Sequence, residues 1–543
     1  MPNTAAQSDT IDVVVVGAGF AGMYMLHRLR GIGLTARCFE AGSDVGGTWY
    51  WNRYPGARCD TESMQYSYAF SDELQQDWSW SQHYAPQPEI LRYAGHVADR
   101  FDLRRDITFN TKVTSATFNE ARRRWDIGTD QGEALSARFC VMATGCLSSA
   151  QMPKLQGAET FLGKTYHTGQ WPHEGVDFAG KRVAVIGTGS SCIQSIQVIA
   201  EQADQLFVFQ RTPNFSIPCR NRAMDPAYED SWKSVYPQRR AQQKASRVGI
   251  VYETVDKSAL EVSAEERQQE YERRWQRGGT SFIAAYNDLF FDQAANDTAA
   301  EFVRTQIQAT VKDKRVADAL TPRDYPIGTK RLCADTEYFE TYNRDNVTLV
   351  NIRETPIECL TPKGLRVGGQ DYEVHAIVFA TGYDAVTGAL NAIDIKGRDG
   401  MTLKQKWEAG PRTYLGLMSA GFPNMFLITG PGSPSVLSNM IVSIEQHVEW
   451  IGDCLSYLGT RQRDCIEATT DAENAWVEHV NDIAGGTLFP KAASWYMGAN
   501  IPGKPRVFMP YIGGVGAYRR KCQDIAAADY RGFQVSEPVH AAE

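Results

Sequence analysis

Two runs of this 543-residue chain have the composition of a phosphate cradle, Gly17-Ala-Gly19-Phe20-Ala-Gly22 and Gly187-Thr188-Gly189-Ser190-Ser191-Cys192. In such a run the first glycine makes a tight turn, the second lets backbone approach a pyrophosphate, and the third lets a helix pack closely on its strand. Cys192 departs from the pattern at the third position, which serves packing, so phosphate binding should survive at a local packing cost. An acid follows the first run about twenty residues on, at Glu40, where the ribose hydroxyls of an adenosine belong, and this points to FAD. At the corresponding place after the second run stand Arg211 and Thr212. A guanidinium there suits a 2′-phosphate, so the second nucleotide is read as NADPH rather than NADH. Three further charges could take part in chemistry. Asp60 lies among apolar neighbours and needs a cationic partner if buried, and Lys330 and Arg331 are adjacent cations beside Leu332. No Ser/His/Asp or similar triad is recognisable. The eleven cysteines form no CxxC pair, which excludes a flavin disulfide reductase, and no Cys/His cluster has metal spacing, so no metal is expected.

These residues need elements to hold them. Ile11-Asp-Val-Val-Val-Val16 is a β-branched run ending at Gly17, and Met23 to Leu29 has helical periodicity. A strand, a glycine turn and a helix are the context that makes a GxGxxG match specific. Lys181 to Ile186 provides the same context for Gly187, and the strands Thr35–Glu40 and Leu206–Gln210 carry the discriminating residues at their ends. Gly46 to Asp60 is rich in glycine and aromatics and reads as an irregular loop against a flat ring system. The strand ends Ala143-Thr144-Gly145 and Ala380-Thr381-Gly382 repeat one another, as where a chain crosses between two domains. Between the fingerprints lies Phe161-Leu-Gly163-Lys-Thr-Tyr-His167-Thr-Gly-Gln-Trp171-Pro172, read as a hinge. Gly163 permits a bend, Trp171-Pro172 stops regular structure, and the His167 ring can tether two segments. Arg220 to Tyr325 is charged, Gln-rich and helical, with no catalytic constellation. Thr429 to Met440 leads into a helix through Ile441, Ile444, Val448 and Ile451, whose positive end would lie near a flavin. Ser494 to Pro505 is a Gly/Pro-rich loop carrying an exposed Trp495, of the kind that closes over ligands.

The predicted fold is α/β, with two Rossmann-like dinucleotide-binding domains for FAD and NADP and a helical insertion. Residues 1–150 and 384–543 form the FAD domain, 151–220 and 329–383 the NADP domain, and 221–328 the insertion. With 43% hydrophobic and 22% charged residues the chain is an ordinary globular one, and its length requires several domains. A net charge of -8 argues against a nucleic-acid or anionic-membrane surface. Met1 to Thr10 lacks an apolar signal core, and no apolar run reaches the roughly 18 residues of a membrane span, so a cytoplasmic protein is expected.

Taken together, the pieces resemble the flavin-dependent (type I) Baeyer-Villiger monooxygenases, from Ile11 to about Phe533. The family fingerprint FxGxxxHxxxWP matches Phe161, Gly163, His167, Trp171 and Pro172. Trp49 to Asp60, Lys330-Arg331, Ala499 to Pro505 and Gly430 to Asn439 are similar to the branch of phenylacetone and steroid monooxygenases, from which Cys192 and Cys333 depart. The resemblance implies oxidation of ketones to esters or lactones by NADPH and O2 through an anionic C4a-peroxyflavin, with sulfides as a further substrate class. It makes Arg331 the catalytic cation and Asp60 the carboxylate that orients it. It assigns FAD contacts to Gly17, Gly19, Phe20, Gly22, Glu40, Thr48, Trp49, Tyr50, Trp51, Asp60, Thr61, Tyr66, Val113 and Met440. NADP contacts fall on Arg58, Thr188, Gly189, Ser190, Ser191, Cys192, Ile193, Gln194, Arg211, Thr212, Lys330, Arg331 and Trp495, and His167 couples the domains. A ketone and O2 are the only partners expected of a monomer. Competing readings are a nitrogen- or sulfur-oxygenating flavin monooxygenase and a nucleotide-binding redox sensor without turnover.

Overall fold

The structure is a computed structural model that describes residues 10–537; the reading of the polar start falls almost wholly on residues 1–9, outside them. The chain opens on β1 (Thr10–Val16), whose Val13, Val14 and Val15 are wholly buried, as a strand covered on both faces demands. It continues through β2 (Ala36–Phe39), β3 (Ile107–Thr108), β4 (Val113–Asn119), β5 (Arg124–Thr129) and β6 (Ala134–Met142). After the first crossing come β7 (Lys164–His167), β8 (Arg182–Ile186), β9 (Gln205–Gln210) and β10 (Ser216–Pro218). Five helices follow, Pro226–Lys233, Tyr236–Ala245, Ala264–Arg277, Gln293–Thr310 and Lys314–Leu320. Then come β11 (Cys333–Asp335), β12 (Val347–Asn351), β13 (Ile357–Thr361), β14 (Gly364–Val367), β15 (Gln370–Glu373) and β16 (Ala376–Phe379), and after the second crossing β17 (Asp394–Lys396) and β18 (Met425–Leu427).

Two sheets result. The first has eight strands in the order β17-β4-β5-β6-β1-β2-β3, with β18 also on β6; β1 pairs in parallel with β2 and β6, while β4, β5 and β6 form an antiparallel meander. The second has five strands, β12-β9-β8-β16-β7, and all its pairings are parallel. The fingerprint stretch therefore supplies an edge strand: β7 runs beside β16 and ends at His167. The parallel pair β10 and β11 closes the base of the helical insertion. Asp225, Ser263, Asp292 and Asp313 start four of the insertion's helices by accepting first-turn N–H groups, which explains why so polar a stretch is helical.

The two crossings between the sheets lie side by side. Asp384 N donates to Ser149 O at 2.9 Å, Val386 N to Cys146 O at 2.9 Å and Gln151 N to Gly382 O at 2.9 Å. Each domain is thus entered and left through one hydrogen-bonded double strand of chain.

Candidate active site at the domain junction

Both glycine fingerprints form turns at the C-terminal ends of parallel strands. Gly17 and Gly187 have φ of 101° and 113°, in the region that favours glycine. The helices that follow, Phe20–Gly31 and Ser190–Gln202, begin at Gly19 and Gly189, and neither receives a side-chain cap. The contrast with the Asp- and Ser-capped insertion helices has a chemical sense, because an uncapped N-terminus can give its N–H groups to a phosphate. A Cβ on Gly189 would meet nothing within 4 Å, so the space ahead of that helix is open. Cys192 and Ile193 have fully buried side chains and can offer a nucleotide only their backbone. Val113 is likewise buried at the start of β4.

Glu40 follows β2, is 5% exposed, and accepts Ala18 N and Gly42 N, both at 2.7 Å. Burial raises its pKa, opposed by those backbone donors. Beside it, Gly46 to Asp60 is a loop containing one unforeseen helical turn, Thr48–Trp51. Trp49 Nε1 donates to Tyr66 Oη at 3.0 Å, which fixes the two rings edge to face. Thr61 lies buried just beyond, while Thr48 and Trp51 keep exposed surface. Met440 begins the helix Met440–Thr460, whose end is capped by Asn439 itself, bonded to Ile441 N at 3.2 Å.

On the other side stand three cations without a carboxylate at ion-pair distance among the described residues. Arg211 is exposed next to Thr212, whose carbonyl accepts the Thr188 hydroxyl at 2.6 Å. Lys330 sits with Nζ 4.6 Å from the Tyr325 ring centre, and its pKa is lowered by burial and then by Arg211. Arg58 donates through Nη1 to Gln82 Oε1 at 2.7 Å and to Tyr84 O at 2.6 Å, and burial lowers its pKa. Cations left unneutralised around an uncapped helix end fit a nucleotide carrying an extra phosphate. The residues present therefore fit both FAD and NADPH.

Between the two sites Arg331 meets Asp60. Arg331 Nη2 lies 2.6 and 2.7 Å from the two Asp60 oxygens, and Nη1 is 3.4 Å from Val436 O. Asp60 raises the Arg331 pKa further, so the guanidinium stays charged although Cys59, Cys333 and Tyr496 are buried around it. Arg331 keeps 37% of its side-chain surface, against 15% for Asp60, so the cation is the more open member of the pair. Partly exposed Leu147, Phe290, Leu437 and Met440 add an apolar wall.

The remaining expected residues fall in two groups. Trp495, read as exposed, is half-buried against Ala385, Val386 and Met509, because its loop folds back on the second crossing. Gln194 turns from the nucleotide side to the first domain's loop, accepting the Tyr54 hydroxyl at 2.8 Å and donating to Arg58 O at 3.0 Å. Ser190 Oγ lies 3.0 Å from Cys333 Sγ, and Ser191 Oγ accepts the Thr168 hydroxyl at 3.0 Å. His167 accepts Gly169 N on Nδ1 at 3.0 Å, so Nε2 carries the proton and faces Thr381 Oγ1 at 3.4 Å. Its pKa is lowered by burial, and it lies away from the Arg331 pair, among the crossings. Phe161 and Trp171 pack into different cores, and a Cβ on Gly163 would lie 2.5 Å from His375 O. Pro172 follows Trp171 where the 3-10 turn ends. Sequence reasoning missed Tyr54, Tyr383 and Asp384. The last two directly follow the repeated Ala-Thr-Gly strand end, the one local signal that could have marked them.

This arrangement defines a flavoprotein with two dinucleotide-binding domains. Residues 10–243 match the family described as FMO-like, flavin-binding monooxygenase-like. The chain is 42% identical to the acetone monooxygenase (methyl acetate-forming) of Gordonia sp. (strain TY-5), over 97% of this chain and 99% of that one. It is 43% identical to a Baeyer-Villiger monooxygenase of Pseudooceanicola batsensis over 97% of each chain, and 43% identical to the phenazine N-monooxygenase PhzNO1 of Lysobacter antibioticus over 96% of each. Its fold superimposes on an oxidized steroid monooxygenase bound to NADP with a TM-score of 0.93 and 54% identity, covering 97% of this chain and all of that one. The chain belongs to the Baeyer-Villiger monooxygenase family of flavoproteins.

Proposed function

We propose that the protein holds FAD, takes electrons from NADPH, and uses O2 to convert a ketone into the corresponding ester or lactone. The observation that carries this reading is the Arg331–Asp60 pair, a cation held by a carboxylate beside the apolar cluster of Val436 and Tyr496. Bound FAD, once reduced, supplies the activation of O2 and the insertion of one oxygen atom beside the carbonyl. The chain's own residues bind and orient. Glu40 would receive the adenosine ribose of FAD, Trp49, Tyr50 and Tyr66 would hold its ring system, and Arg211 with Lys330 would hold the 2′-phosphate of NADPH. Arg331 points a fixed positive charge at the substrate, where negative charge grows on the carbonyl oxygen; one preorganised donor of this kind contributes about 3 kcal/mol. A guanidinium suits the place because it cannot lose its proton when partly buried. Asp60 keeps the donor aimed, His167 ties the domains together without touching substrate, and Trp495 helps exclude water.

The N-oxygenating relative gives a second reading, oxidation of an aromatic nitrogen or a sulfide. A fixed cation is the argument against it, since soft nucleophiles need no stabilised oxyanion. The test supplies FAD-loaded protein and NADPH with phenylacetone, cyclohexanone, progesterone, methyl phenyl sulfide and phenazine, and identifies products by mass. A ketone product heavier by one oxygen supports the proposal, and Arg331→Ala should then lower its rate by about 10²- to 10³-fold while anaerobic reduction of the flavin continues. Only sulfoxide or N-oxide would favour the second reading, and no NADPH consumption would indicate a redox sensor.

A further inference from the structure

The loop that carries Trp495 is built mostly on itself. Met497 N and Ala499 N both return to Ser494 O at 3.0 Å, Lys504 N to Ile501 O at 3.3 Å, and Met509 N to Tyr496 O at 3.0 Å. Among the described residues, the hydrogen bonds that its tip, residues 498–506, makes outside the loop end on three consecutive residues. Asn500 Nδ2 donates to Tyr383 O at 2.7 Å, and Lys504 Nζ donates to Asp384 Oδ1 at 2.5 Å and to Ala385 O at 2.9 Å. The lysine is 11% exposed and Asp384 27%, so this is a largely dehydrated pair and not one of the exposed ones that contribute little.

Residues 383–385 are the second crossing between the domains. The Tyr383 hydroxyl donates to Asn52 Oδ1 of the first domain's aromatic loop, and its ring stands edge-on to His167 at 6.1 Å. A Cβ on Gly169 would lie 2.6 Å from that ring, so the fingerprint stretch rests directly on Tyr383. Asp384 N is bonded to Ser149 of the first crossing. One end of the Trp495 loop is therefore fastened to the place where both crossings and the family fingerprint meet. The other end puts Tyr496, 3% exposed, close to Arg331.

We propose that Lys504 and Asp384 are positioning residues that latch the Trp495 loop onto the domain crossing, so that the loop stays closed over the second nucleotide only while the two domains hold their relative position. The proposal rests on the functional reading for the identity of that nucleotide, and on geometry alone for the latch. Breaking the pair frees the tip, since it has no other polar anchor than Asn500. The oxidised nucleotide should then leave more easily, and NADPH electrons should reach O2 without reaching substrate.

The test uses FAD-loaded full-length protein, with NADP+ as the probe, and compares Lys504→Met, Asp384→Asn, Lys504→Arg and the exchanged pair Lys504→Asp with Asp384→Lys. NADP+ affinity is measured by titration without ketone, and hydrogen peroxide released per NADPH is measured with ketone. The two neutral variants should weaken NADP+ by about tenfold and raise the peroxide fraction, while Lys504→Arg and the exchanged pair recover most of the affinity. Melting temperatures and flavin content within those of the parent exclude a folding defect as the cause, and Lys504→Met and Asp384→Asn each carry the test if the other is unstable. Unchanged affinity in both neutral variants, or an exchanged pair that binds no better than the neutral variants, overturns the latch. Because the affinity is read without ketone, this outcome is separate from the failure of ketone oxidation, which would overturn the functional reading instead.

Discussion

Gly17 and Gly187 occupy the same place in their strand-turn-helix units, and a Cβ on either would strike the carbonyl of the crossing segment, Ala143 O at 2.7 Å or Ala380 O at 2.4 Å. Five residues later the two units part. A Cβ on Gly22 would lie 1.9 Å from Gly17 O, so no side chain fits, whereas Cys192 is accommodated and fully buried among Ile193, Ile196 and Tyr338. The surroundings differ in the same sense. A Cβ on Gly19 would come within 3.3 Å of Gly47, because the aromatic loop folds over the first helix end, while Gly189 faces open space. Glu40 is anchored by two backbone donors, and Arg211 stands exposed. The first cradle is the more enclosed and the second the more open, and the third glycine belongs to helix packing, not to phosphate binding.

The sharpest way to break this comparison is to give the first cradle the second one's residue. Gly22→Cys is expected to abolish flavin retention, since the thiol-bearing carbon has backbone in its path; absorbance of bound flavin relative to protein reads it. If the variant stayed yellow, the two helices would be packed more alike than the structure has them. On the open side, Arg211→Ala should raise the KM for NADPH by about 10- to 100-fold and leave that for NADH unchanged, the signature of a lost charge-assisted contact. Steady-state kinetics with both nucleotides decides it.

Two of the three buried histidines among the described residues extend the contrast. His447, within the first domain, accepts Thr429 N on Nδ1 at 2.9 Å and gives its Nε2 proton to Tyr518 Oη at 2.8 Å, and burial drops its pKa to about 3. A depressed histidine contributes stability that is complete above the ordinary value of 6.5 and is lost as pH falls toward the folded one. Stability at pH 5 should therefore be about 2 kcal/mol below that at neutral pH from this group alone, and His447→Gln should flatten the slope in denaturant titrations. His167, at the junction, is shifted in the same direction by burial. The smallest effect belongs to Cys192→Ala, which should cost about 1 kcal/mol of stability as a small cavity and change neither flavin content nor the KM for NADPH.

Much of the architecture was legible because its signals are local. A β-branched run into a glycine turn into a periodic helix is written in a few adjacent residues, and so are Glu40 and Arg211 at the ends of their second strands. The capping residues of the insertion's helices were equally local, although only the helical composition was read from them. What was not legible lay in the approach of distant segments. Trp495 looked exposed because its loop is Gly/Pro-rich, and nothing in that composition tells that the loop folds back on residues 383–386. Gln194 lies in a nucleotide-binding run, yet its amide is taken up by a loop whose position depends on the whole first domain.

By itself the sequence determined that there are two nucleotide cradles, their order, which carries an acid and which a base, and the fingerprint stretch between them. The tertiary structure decided that Asp60 and Arg331, 271 positions apart, share one ion pair, that the two crossings bond to each other beneath His167, and that Lys504 reaches Asp384 across 120 positions. The reason is physical. Turn, strand and helix preferences act through neighbouring dihedrals and can be read along the chain, while a buried ion pair exists only once both sheets have packed and removed water from around it.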